Sequence, residues 1–162
     1  MSIIIYSINI VMESNYDKSN KIVSVRLNKF DKTYMKKLLA CGEDCKERQR
    51  AAKSLVDYLC SKFGIVSVPV LVLNTCQPHR IGESGRMSRK TLGLYTHAGR
   101  TPISIKVWNK TAIKQQTISI NVFAETLLHE FMHHYDTFEL KIDTIHSAGF
   151  YKRISDLSKK LQ

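Results

Sequence analysis

Two histidines and a glutamate constrain this chain more than any other feature. His129, Glu130 and His133 form an H-E-x-x-H pattern. On an α-helix, residues four apart lie on one face, about 40° apart around the axis. Both imidazoles can then reach one metal ion. The pattern therefore asks for a helix with one face open to a cleft and the other buried. The helical wheel agrees: Glu125, Thr126, His129, His133 and Asp136 share one side. Leu127, Leu128, Phe131 and Tyr135 lie largely elsewhere and pack as core. Asn121 is placed to cap this helix, which runs to about Phe138.

The rest of the chain supplies the scaffold. An apolar run, Ile3-Ile4-Ile5-Tyr6, reads as a terminal strand or a loose tail, and residues 13–20 are polar and turn-like. Residues 21–30 give a short strand with Ile22, Val23, Val25 and Leu27 as its apolar positions. Asp31 caps a helix carrying Tyr34, Met35, Leu38 and Leu39. A second helix over residues 43–63 buries Ala52, Leu55, Val56, Leu59 and Phe63, and Gly64 ends it. Its other face carries Lys46, Arg48, Arg50 and Lys53.

Residues 66–73 are β-rich, with Pro69 marking an edge or a strand start. Residues 74–90 read as a basic loop with Arg80, Arg86, Arg89 and Lys90. Residues 91–96 and 102–108 form a hairpin turning at Gly99, with Ile103, Ile105 and Val107 on one face of its second strand. A last helix from about Ser147 carries Phe150, Ile154, Leu157 and Leu161 at helical spacing. The expected fold class is α+β: one domain over residues 1–162, with N-terminal helices, a small antiparallel sheet, the H-E-x-x-H helix and a C-terminal helix.

Composition decides the broad class. At 162 residues, with 43% hydrophobic and 24% charged residues, the chain can bury a core as one domain. Its 25 Lys and Arg against 14 Asp and Glu leave a net charge of +11, which favours nucleic acid or another acidic partner. Cys41, Cys45, Cys60 and Cys76 form no C-x-x-C pair, so a zinc ribbon is not indicated. With no secretory signal and no run long enough to span a bilayer, the expectation is a cytoplasmic protein with reduced thiols and no membrane partner.

A catalytic zinc takes three protein ligands and keeps a position for water. His129 and His133 supply two. His146 is favoured as the third because the chain can double back beneath the helix to place it; Asp136 and Glu139 are the alternatives. His134 is about 100° round the helix from His133 and points elsewhere.

The motif His129-Glu130-x-x-His133, followed by His146-x-x-Gly149-Phe150, resembles the SprT-like zinc metallopeptidases. Gly93-Leu94-Tyr95 and Ile103-Ser104-Ile105-Lys106-Val107, preceding the motif, match that family's hairpin-to-helix order. The resemblance covers about residues 66–155. Ser147 stands where glycine is usual, and the cysteine-rich ribbon and long tails of some members are absent from this sequence.

The resemblance implies a zincin-like fold and hydrolysis of peptide bonds in proteins bound to DNA. Zn2+ would be held by His129, His133 and His146, with Glu130 as general base. The 102–108 strand would be the sheet edge that pairs with an extended substrate. Tyr135, Tyr151 and His97 are the candidates for stabilising developing negative charge. Two other functions fit the same residues: a basic nucleic-acid-binding module with a structural or inactive zinc site, and a protease specific for one regulator without a DNA role.

Overall fold

The computed structural model describes residues 13–162, so the expectation for residues 1–12 lies outside them. The described chain is α+β, with five α-helices and a small mixed sheet. They are α1 (Asn15–Lys21), α2 (Thr33–Leu39), α3 (Cys45–Phe63), α4 (Ile120–Tyr135) and α5 (Ala148–Leu161). The strands are β1 (Val70–Cys76), β2 (His79–Ile81), β3 (Met87–Lys90), β4 (Gly93–Ala98) and β5 (Thr101–Lys110).

The long helices form where periodicity and capping agree. Asp44 accepts from the Glu47 amide at the start of α3, and Gly64, at φ 70°, ends it in the left-handed conformation that favours glycine. Ser147 caps α5 by accepting from the Phe150 amide. Helix α4 is capped by Ser119, two residues before the expected Asn121. It ends at Tyr135 and continues as one π-helical turn, Asp136–Leu140.

Helix α4 is the centre of the molecule. Phe123, Leu127, Phe131 and Tyr135 are fully buried and share one core with Leu55, Leu59 and Phe63 of α3 and with Phe150, Leu157 and Leu161 of α5. Ile105 and Val107 of β5 close that core from the sheet side, while Ile103, expected beside them, is exposed at the strand's start.

The sheet differs from expectation in two ways that matter for a site. Its order is β1-β5-β4, with β5 parallel to β1 and antiparallel to β4. It is therefore mixed, not antiparallel. The strand expected at the edge, β5, is paired on both sides, and the edge beside α4 is β4. The 74–90 segment is not simply a loop: it holds the antiparallel pair β2–β3.

Two N-terminal expectations also change. Residues 13–20 are not a turn, because Ser14 caps α1 by accepting from the Asp17 amide. Residues 22–30 are not a strand. Among the described residues no strand pairs with them, and two of their amides bond to side chains: Val25 to Asp156 and Arg26 to the Tyr135 hydroxyl. Asp31 accepts from the Thr33 amide, although Lys32 is the residue flanking α2.

Arg48 leaves the basic face assigned to α3. It is buried and donates to Gly42 O, Asn109 Oδ1 and Ile118 O, tying α3 to the approach to α4. The four cysteines are free, and among the described residues no helix is long and apolar enough to cross a membrane.

Candidate metal centre

His129 and His133 lie on the half-exposed face of α4, and His146 comes from the segment between the π-helical turn and α5. The structure brings all three together. Their Nε2 atoms form a triangle with sides of 3.0, 3.0 and 3.2 Å. Hydrogen bonds cannot hold such a triangle. The His133 Nδ1 lies against Thr144 Oγ1. A neutral imidazole that donates from Nδ1 offers only a lone pair at Nε2. Lone pairs aimed at one point repel unless a cation lies among them. Tetrahedral coordination at roughly 2.05 Å sets ligand nitrogens about 3.3 Å apart, close to the spacing found. The three histidines are close enough to hold a metal ion.

Electrostatics favour the neutral form that a metal requires. Burial, then the neighbouring His146, pushes His129 down to about 4. Burial, then His129 and His146, pushes His133 down to about 3. The ring of Phe150 forms a floor, its centroid 5.1, 4.6 and 5.3 Å from those of His129, His133 and His146. Phe150 is fully buried, so it also anchors α5 under the site.

Asp136 and Glu139 do not join the cluster. The Asp136 carboxylate is fully buried and takes two bonds from Arg153, at 2.6 and 3.1 Å. Glu139 pairs with Arg26. Asp136 stands where α4 gives way to the π-helical turn, and its carboxylate is held by Arg153 of α5. His134 points into the core, as its position on the wheel requires. It lies 2.7 Å from Val66 O and 3.1 Å from the Tyr95 hydroxyl.

Glu130 lies beneath β4 and is only 7% exposed. Burial pushes its carboxyl up to about 7, against the opposing effect of the Tyr95 backbone N–H. A carboxyl at that value can both take and give a proton near neutral pH. The contact with β4 depends on Gly93: a Cβ there would come within 2.7 Å of Glu130 Cγ and Oε1 and of Thr126 Cγ2.

These residues line one cleft of about 620 Å³, which includes His129, Glu130, His133 and His146 with Arg89 and Lys90. His97 is also on its wall, with Nδ1 3.0 Å from Gly99 O. Tyr151 is exposed, its ring 6.2 Å from that of His129. Tyr135 takes no part, being buried with its hydroxyl accepting from the Arg26 amide.

Sequence reasoning missed Thr144 and the role of Gly93. A threonine in a loop carries no signal of its own. Gly93 did carry one, a glycine opening a strand beside a motif helix, which marks a close backbone approach. Comparison with known proteins gives no match to a family model, a curated protein or a solved structure.

Proposed function

We propose that this protein is a zinc-dependent endopeptidase of the SprT-like type, with a zincin-like fold and α4 as its active-site helix. One observation carries the reading: three imidazole nitrogens converge in a cleft bordered by a sheet edge, with the buried Glu130 on the same helix.

His129, His133 and His146 would hold the ion, and zinc bound there supplies Lewis acidity. Glu130 is the proton carrier. With its carboxyl held near 7, it takes a proton from the attacking water and delivers it to the departing amine nitrogen. The edge of β4, unpaired among the described residues, supports an extended peptide through backbone hydrogen bonds, a role the central position of β5 denies to that strand.

Charge supports proteins associated with DNA as substrates. Arg80, Arg86, Arg89 and Lys90 are exposed around the β2–β3 pair, and the last two reach the cleft. Phosphate contacts are made by such side chains.

The test is zinc analysis together with cleavage of a DNA-bound protein, with and without DNA. The wild type should bind one zinc and cleave; Glu130→Gln should keep the zinc and lose cleavage. Full cleavage by Glu130→Gln sinks the mechanism. A wild type that binds zinc and DNA but cleaves nothing supports a nucleic-acid-binding module instead.

A further inference from the structure

His146 differs from its two companions. His129 and His133 are fixed by a helix, whereas His146 is exposed and lies in a segment without regular structure. That segment needs an anchor, and α1 is packed against it on both sides of the histidine. Asn15 Nδ2 donates to Asp143 Oδ2 at 2.7 Å, three residues before His146. The Ser19 and Ser147 hydroxyls share a buried hydrogen bond of 2.6 Å, one residue after it. Asn20 Oδ1 accepts from the Gly149 amide at 3.3 Å.

The fit at Gly149 is tight. A Cβ there would lie 2.0 Å from Ser19 O and 2.8 Å from Asn20 Cα, so only glycine lets α1 approach this closely. Arg153 holds α1 from below. Its guanidinium donates to Ser19 O at 2.7 Å, Ile22 O at 2.5 Å and Ser19 Oγ at 3.1 Å, and its charge is balanced by Asp136.

We infer that α1 is a brace for the third metal ligand: Asn15, Ser19 and Asn20 set the position of His146 by holding the Asp143–Gly149 segment, and so set metal affinity from outside the coordination shell. None of them touches the cleft, so they are positioning residues. The inference rests on the metal-centre reading above. Partners that orient a ligand from outside the shell typically change metal affinity about 10- to 100-fold.

The experiment measures zinc affinity by chelator competition, and cobalt absorption as a report of ligand geometry, on the full chain. The double variant Asn15→Ala Ser19→Ala should bind zinc about 10- to 100-fold more weakly than wild type and give an altered cobalt spectrum. Gly149→Ala should do the same or more; should it fail to fold, the double variant carries the test alone. In a His146→Ala background, where no third imidazole remains to be placed, the brace substitutions should cause no further loss.

A wild type that binds zinc tightly, with the double variant matching it, overturns the brace alone. So does a loss that persists in full without His146, because α1 would then act only on general stability. A wild type that binds no zinc overturns the metal centre and the brace with it.

Discussion

The carboxylate of Glu130 occupies the space where a side chain on residue 93 would stand. Gly93 opens β4 directly over α4, and a Cβ on it would lie 2.7 Å from atoms of Glu130 and Thr126. Glycine is needed there for proximity, not for an unusual backbone angle. The sheet edge and Glu130 are thus set against each other by one absent methyl group.

Gly93→Ala should separate the fold from the chemistry. The nearest atoms belong to side chains, one of which can swing away, so the stability cost should stay within about 1–3 kcal/mol. Glu130 must move, and a displacement on the order of 1 Å can cost about 100-fold in rate. Zinc content should match wild type while peptide cleavage falls about 100-fold. Unchanged cleavage would mean that the position of Glu130 does not matter.

Thr144→Val should weaken metal binding without unfolding the protein. Thr144 Oγ1 faces His133 Nδ1, and by accepting from it would leave the Nε2 lone pair free for an ion. Valine keeps the shape and removes the acceptor. Zinc competition should show about a 10- to 100-fold weaker Kd, with thermal stability of the metal-free protein nearly unchanged.

Asp136→Asn tests the ligand set and the buried pair together. Asp136 and Arg153 are both fully buried, so removing the carboxylate charge strands a guanidinium in the interior. Breaking such a pair typically costs about 3–5 kcal/mol. Denaturant unfolding should show a loss of that size, while the folded variant still binds one zinc. Loss of metal from a folded variant would restore Asp136 as a ligand.

Acid should destabilise the metal-free protein through its histidines. His129 is held down to about 4 and His133 to about 3, whereas unfolded histidine titrates near about 6.5. Between those values the unfolded chain binds protons that the folded chain refuses, so their contribution to stability falls as pH drops from about 6.5 towards about 4.

Glu130 works the other way: with its carboxyl raised to about 7, it favours the folded state as pH falls from there. The clean measurement is therefore a difference. With chelator present, His129→Gln His133→Gln should gain stability relative to wild type between about pH 7 and about pH 5. A constant difference would show that the histidines are not held neutral.

The sequence was most legible where local pattern and tertiary role agree. The apolar stripe from Ala52 to Phe63, the stop at Gly64 and the start of the last helix near Ser147 all depend on neighbours within a turn or two. His129 and His133 are close for the same reason, and His146 could be placed near them because a short return suffices.

Long-range pairing was not legible in this way. Nothing local in Val70–Cys76 says that it runs parallel to β5, which alone moves β5 from edge to centre. Buried charge was also hidden. Arg48 sits among solvent-type residues on α3, and Arg153 lies between Phe150 and Leu157 on an otherwise apolar stripe. The second case carried a clue, since an arginine on a buried stripe needs a buried acceptor, and Asp136 supplies it.

The clasp between α1 and α5 has a consequence for the order of synthesis. Ser19 and Ser147 are 128 residues apart, so the first helix leaves the ribosome long before its partner exists. At about 5–20 residues per second, that wait is roughly 6–26 s. Through it, Ser19 and the backbone carbonyls that Arg153 will bind must be satisfied by water. The earliest-made of the described helices is then among the last to dock. Because His146 emerges one residue before Ser147, the brace and the third histidine become available together, and the nascent chain presents only a two-histidine site until then.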